Sequence, residues 1–169
     1  MFDPTIFENL KVVTEGAVYD LDLDGIIQVT DRKDMIDMAH MGRHYEISFR
    51  VGDAPITATL QLRVDAKNWS DEVLEHQTES SCQIGVRFTG MVEQNVATYK
   101  EMQHMLQAKW GEGRTIKQRL SYAPCEENVA YEYIIDIHFN KGINEDHIDD
   151  LPVMIEYMVE TIEELRKWM

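Results

Sequence analysis

YEISFRVGDAPITATLQLRV, residues 45–64, is the stretch whose reading decides the fold. Tyr45, Ile47, Phe49 and Val51 alternate with Glu46, Ser48 and Arg50. Gly52-Asp53-Ala54-Pro55 then interrupts the pattern, and Ile56, Ala58, Leu60, Leu62 and Val64 resume it. Successive side chains of an extended chain point to opposite faces, so each run has one apolar and one polar face. Two such runs joined by turn-forming residues predict an antiparallel hairpin buried on one side.

Further strands are expected on either side of it. Cys82 to Val92 carries Ile84, Val86 and Phe88, with Gly85 and Gly90 read as bulges. Ile116, Leu120 and Tyr122 mark another strand, and Tyr131, Tyr133, Ile135, Ile137 and Phe139 a further one, joined across Pro124-Cys125-Glu126-Glu127-Asn128. Toward the N-terminus, Tyr19, Leu21 and Leu23 alternate with Asp20, Asp22 and Asp24 before Gly25. This predicts strands over Gly16–Leu23 and Ile26–Thr30 around an Asp-Gly turn. A short helix is then expected from Asp31, with Met35, Ile36, Met38 and Ala39 as its stripe, Thr30 or Asp31 as its cap and Gly42 as its end.

Helical periodicity governs two longer segments. Gln94 to Trp110 repeats apolar residues at Val96, Tyr99, Met102, Met105, Leu106 and Trp110, and Gly111-Glu112-Gly113 ends it. Asp149 or Asp150 caps a last helix with Pro152 in its first turn and a stripe through Ile155, Met158, Val159, Ile162, Leu165 and Trp168. A shorter helix is expected from Asn68 to about His76. Strands joined by short turns, with two long one-sided helices, define an α+β fold: an antiparallel sheet of six to seven strands covered on one face by those helices, a two-layer sandwich. The chain reads as one domain over 1–169, with no internal repeat or linker.

Thirty-one Asp and Glu oppose sixteen Lys and Arg, a net charge of −15. That balance opposes the phosphate attraction on which nucleic-acid binding depends, and it would repel anionic membranes, so neither is expected as a partner. No apolar stretch approaches the roughly 20 residues needed to span a bilayer, and Met1-Phe2-Asp3-Pro4 lacks the basic and apolar run of a signal sequence. A cytoplasmic location is expected. Cys82 and Cys125 suit that reducing compartment and are read as buried or half-buried thiols.

Three constellations offer chemistry. Asp20, Asp22, Asp24, Gly25, Ile27 and Asp31 are spaced so that the segment resembles the calcium loop of the EF-hand family; the resemblance implies oxygen ligands for a hard cation from the four aspartates. The twelfth position is Asp31 where that family has Glu, and the plainer expectation is a hairpin with a solvated acidic face; no cofactor is predicted, and calcium is the one ion the pattern offers. His40 and His44 have the spacing of a zinc pair on one helical face, but Gly42 between them points to ordinary loop histidines. Strand parity supplies the third: with the apolar residues turned inward, Arg50, Arg63, Arg87 and Arg119 face outward with Glu46, Glu132, Asp136 and His138. Guanidinium forks bind planar oxyanions, so these residues form a candidate anion or carboxylate site; cross-strand ion pairing on a wet face is the plainer expectation.

Nucleotide-binding and nucleophile signatures are absent, and the sequence leans away from catalysis. The order of elements from Asp31 onward, together with the acidic charge, resembles the architecture of acidic dimeric bacterial secretion chaperones, which implies dimerisation and protein binding. A small acidic binding or interaction protein, self-associating as a homodimer or meeting a protein partner, is therefore the functional expectation. Methionines at 35, 38, 102, 105, 154 and 158 lie on helical stripes, most of them expected as core filler, and the stripe ending at Trp168 is the best candidate for a self-association helix, with packing inside the chain the commoner explanation.

Overall fold

The computed structural model describes residues 5–74, 80–93, 95–125, 127 and 130–169. The expected helix end at His76, the helix start at Gln94, the turn residues Glu126 and Asn128, and Met1 to Pro4 lie outside them. The elements are α1 (Ile6–Leu23), β1 (Gln28–Asp37), β2 (Gly42–Arg50), β3 (Thr57–Val64), α2 (Ala66–Val73), β4 (Gln83–Val92), α3 (Val96–Trp110), β5 (Arg114–Ser121), β6 (Tyr131–Phe139) and α4 (Asp150–Leu165). The strands form a six-stranded sheet in the order β1-β2-β3-β4-β6-β5, and every neighbouring pair is antiparallel. The α+β class and the helix-on-sheet sandwich are as the alternation requires.

Parity builds the core. Tyr45, Ile47 and Phe49 of β2, Leu60 and Leu62 of β3, Val86 and Phe88 of β4, and Ile135 and Ile137 of β6 are all buried on one face. Against them lie Phe7, Leu10 and Val18 of α1, Met102 and Leu106 of α3, and Leu151, Ile155, Met158, Ile162 and Leu165 of α4. Trp110 at the end of α3 joins the layers: its ring lies 6.4 Å from Phe88, 6.1 Å from Phe139 and 6.1 Å from Tyr157, and its indole N–H donates to Thr161 Oγ1 at 3.2 Å. α4 and the strands around 84, 116 and 135 stand where the apolar spacing puts them, although α4 ends at Leu165, short of the Trp168 that the expected stripe included.

The N-terminal third differs. Residues 16–23 belong to α1, so three long helices cover the sheet where two were expected. Alternation over Tyr19 to Asp24 spans too few residues to exclude a helix, and Leu10, Thr14 and Val18 supply the four-residue spacing that α1 buries. Thr5 caps it by accepting the Glu8 N–H at 3.3 Å. Residues 31–37, expected as a helix, extend β1 and pair with β2 through Arg32 with Ile47, Lys33 with Glu46 and Asp34 with Tyr45. Pairing with a strongly patterned neighbour overrides a weak local helix signal. Asp37 closes the hairpin, accepting from the Ala39 and His40 amides at 2.9 and 3.1 Å, and Gly42 opens β2 where it was expected to stop a helix. The run of elements from Asp31 onward, expected to open with a helix, thus begins with a strand, and the helix preceding it is α1.

Other corrections are local. Asp65, rather than Asn68, caps α2, accepting the Asn68 amide at 2.9 Å. Gly85 and Gly90 lie in unbroken register and are not bulges. Cys82 is buried as expected, whereas Cys125 is exposed.

One ion network fastens α1 to the first hairpin. Arg43 grips Asp34 with two nitrogens at 3.1 and 2.9 Å, Lys11 reaches Asp34 at 2.9 Å and Glu8 at 2.8 Å, and Arg43 also pairs with Glu8. The Arg43 guanidinium lies 4.8 Å over the Phe7 ring.

Leu60 is fully buried in the middle of the sheet. Leu60→Ala is expected to lower the unfolding free energy by about 2–5 kcal/mol through lost transfer energy and a residual cavity, read from urea denaturation.

Candidate functional site

The core uses one face of the sheet; the other, outer face collects the polar residues of the same strands. Register places them in rows. Arg63 stands opposite Gln83; Gln61, Gly85, His138 and Thr115 form the next row; Thr59, Arg87, Asp136 and Lys117 form the third. Where these rows cross β3, β4, β6 and β5 the surface sinks into a depression of about 290 Å³. Gly85 forms its floor because it carries no side chain where every neighbour in the row does. A Cβ there would meet Gln61 at 3.6 Å and the Ile137 carbonyl at 3.7 Å, ordinary van der Waals contact, so the position takes a methyl without displacing its neighbours.

Asp136 organises the depression. Its side chain is almost fully buried, and a carboxylate in that position needs charged hydrogen-bond donors to offset lost hydration. Arg87 Nε donates to one oxygen at 2.6 Å and Arg119 Nη2 to the other at 2.6 Å. Each arginine uses a single nitrogen on Asp136, leaving the rest of its fork on the depression wall. Arg63 and Lys117 also line it, and among the described residues neither is within ion-pairing distance of a carboxylate. Four cationic side chains thus surround one carboxylate in a chain whose overall charge is strongly negative.

A relay runs from the depression into β2. Gln61 donates its amide to Glu46 at 2.6 Å, Arg63 Nε donates to His44 Nε2 at 3.3 Å, and that same His44 nitrogen lies 3.1 Å from Glu46. His44 Nε2 can accept from Arg63 only while unprotonated; a proton there would turn it toward Glu46. Burial disfavours the imidazolium, and the neighbouring Arg63 charge adds to that, so the His44 pKa falls below its ordinary 6.5.

Of the residues that parity singled out, Arg63, Arg87, Arg119, Asp136 and His138 meet in the depression. Arg50 and Glu132 do not: both are exposed on the same face, Arg50 donating to Thr57 at 3.1 Å and Glu132 standing opposite Met91 and Ser121. Glu46 reaches the site only through Gln61 and His44. Gln61, Gln83 and Lys117 are lining residues that the sequence reading left out, although the same period-two rule puts them on this face.

The four aspartates of the calcium-like spacing are separated by the fold. Asp20 and Asp22 lie on α1, Asp24 caps its C-terminal end and Asp31 lies in β1. Asp22 accepts the Val29 amide at 3.1 Å, and Asp31 pairs with Lys33 at 3.2 Å. A continuous loop, which that ligand arrangement needs, is not formed because its first half is helical. His40 lies in the β1–β2 turn against Asp37 at 2.8 Å, while His44 is on β2, so they share no helical face. Among the described residues no three His, Cys, Asp or Glu side chains converge on a metal position.

Among the described residues, larger hollows of about 630 Å³ and about 550 Å³ lie beside Trp168 and Met169 and at the tip of the first hairpin. Neither gathers like charges as the sheet depression does, and binding chemistry rather than volume makes the latter the candidate site. Among the described residues no helix is long and apolar enough to cross a membrane. Comparison of the chain with protein families, curated proteins and solved structures finds no match.

The lowered pKa of His44 has a signed effect on stability. Between pH 6.5 and the lowered value the unfolded chain binds the proton more readily, so the stabilising contribution is complete above about pH 6.5 and is lost as the pH falls through the folded value. Urea unfolding from pH 8 to pH 5 is expected to show this loss, and His44→Gln to flatten it. An NMR titration placing His44 above 6.5 would contradict the assignment.

Proposed function

We propose that this is a binding protein that takes a small oxyanion, a carboxylate or phosphate, in the depression on the outer face of its sheet. The supporting observation is the convergence of Arg63, Arg87, Lys117 and Arg119 about the single buried carboxylate of Asp136. Asp136 neutralises part of that charge and holds two arginines in fixed positions, which lowers the ordering cost of binding. Arg63 and Lys117 supply the uncompensated charge at the rim. His138, with Gln61 and Gln83, adds hydrogen-bonding groups at the edge. A volume of about 290 Å³ suits a compact ligand, at the lower end of small-molecule sites.

The acidic remainder of the surface contributes selectivity in this reading. It repels polyanions such as nucleic acid at long range, while the recessed cations act over a short distance on a small anion. We assign the protein to the cytoplasm, a reducing compartment that suits a chain with only two, widely separated cysteines.

Calorimetric titration at low ionic strength with phosphate, citrate and succinate tests the site. At least one is expected to bind saturably. Arg63→Gln and Lys117→Gln should each weaken it about tenfold, the scale of one charge-assisted hydrogen bond. Gly85→Ala should weaken binding while leaving the fold intact, because the added methyl meets Gln61 and the Ile137 carbonyl at ordinary contact distance and raises the floor of the depression. Equal binding by wild type and all three variants would sink the proposal, as would no binding at tens of millimolar anion.

A further inference from the structure

Arg63 stands on the wall between two hollows. It lines the sheet depression on one side and the hollow at the tip of the first hairpin on the other. Register sets it directly opposite His44 of β2, and His44 in turn stands opposite Met35 of β1. Arg63 Nε donates to His44 Nε2 at 3.3 Å, the one acceptor this guanidinium has among the described residues. A rim cation that no carboxylate offsets is therefore anchored toward β2 by a neutral imidazole.

That anchor exists in only one protonation form. Nε2 accepts from Arg63 through its lone pair, so the ring proton must sit on Nδ1. The same Nε2 lies 3.1 Å from Glu46 Oε1, where a lone pair would face a carboxylate oxygen but a proton would be donated to it. Arg63 and Glu46 thus compete for one nitrogen, and the proton decides between them. An imidazolium would also stand beside the Arg63 charge and repel it. The His44 side chain is 23% exposed and that of Glu46 17%, so these contacts are screened less than pairs in open water.

The other groups around His44 set the balance. Burial opposes a charged ring; Arg63 of β3, Arg87 of β4 and Lys33 of β1 add to that opposition, and Glu46 works against it. Around the hairpin hollow, Asp37 is held by His40, Arg43 by Asp34 and Asp65 by Asn68, so these groups are already engaged. An anion in the depression would offset Arg63 and Arg87, two of the three cations that disfavour the protonated ring.

We propose that the depression takes up its anion together with a proton: protonation of His44 turns that ring to Glu46 and frees Arg63 Nε, so that the guanidinium swings into the depression and presents its fork to the oxyanion. The inference rests on the anion-binding reading and adds its regulation. Each ligand favours the other, as linkage requires: a more acidic medium strengthens anion binding, and bound anion makes His44 easier to protonate.

Sulfate is the probe, because its charge is constant between pH 5 and pH 8. Calorimetric titration of the full chain at fixed low ionic strength is expected to give an affinity at least about fivefold higher at pH 5 than at pH 8, the lower end of coupling between two sites. His44→Gln should bind with nearly one affinity at both, whereas His138→Gln, which removes the imidazole lining the depression itself, should keep the wild-type ratio; circular dichroism at each pH checks folding. In the anion-free protein, nitrogen NMR should place the neutral His44 proton on Nδ1 and show the Arg63 Nε resonance moving in step with His44. Equal wild-type affinity at the two pH values, a ratio that survives His44→Gln, or an Arg63 resonance indifferent to His44 would overturn the proton coupling and leave the anion site standing. Sulfate that binds at neither pH would overturn the site itself and the coupling with it.

Discussion

Everything in this molecule rests on the antiparallel pairing of β2 with β3. These two strands carry the strictest alternation in the chain, and their register sets which side of the sheet is apolar. Once Tyr45, Ile47, Phe49, Leu60 and Leu62 face one way, β4 and β6 must join in a register that continues the apolar surface. A slip of one residue would turn every side chain over. The three long helices then have a single place to bury their stripes.

The same constraint creates the candidate site. An apolar inner face obliges the alternate residues to share the outer face, and the order β3-β4-β6-β5 brings Arg63, Arg87, Asp136 and Lys117 together from segments far apart in sequence. Asp136 holds a central position because it is buried between neighbouring strands and carries two arginines as partners. Removing hydration from a carboxylate is costly, and the pairing that offsets the cost also fixes the guanidinium groups in place. Gly85 contributes by what it lacks, leaving a recess in a face otherwise covered by side chains. Its register position, opposite Gln61 and His138, makes it a floor rather than the bulge that glycine in a strand suggests.

The N-terminal third shows where local pattern is ambiguous. Tyr19 to Asp24 alternates well enough to be read as a strand, and Asp31 to Ala39 carries a short apolar stripe that can be read as a helix. Both assignments are reversed in the fold. The helix is stabilised by contacts outside its own sequence, including Lys11 and Glu8 with Asp34 and Arg43. Residues 31–37 are held extended by the exposed edge of β2. The apparent calcium loop dissolves for the same reason, since its first aspartates sit on a helix and its last on a strand.

The amino-acid sequence by itself determined the α+β class, the alternation of the central strands, the existence of α3 and α4, and the outward orientation of Arg63, Arg87, Arg119, Asp136 and His138. These follow from side-chain periodicity, which is a local property of the backbone. Tertiary structure alone decided that α1 is a helix and β1 a strand, that Arg50 and Glu132 stand apart from the other five residues, and that Gln61, Gln83, Lys117 and Gly85 complete the depression. Those outcomes depend on strand order and on pairing between distant segments. Parity assigns a residue to a face, but only neighbouring strands determine what it meets there.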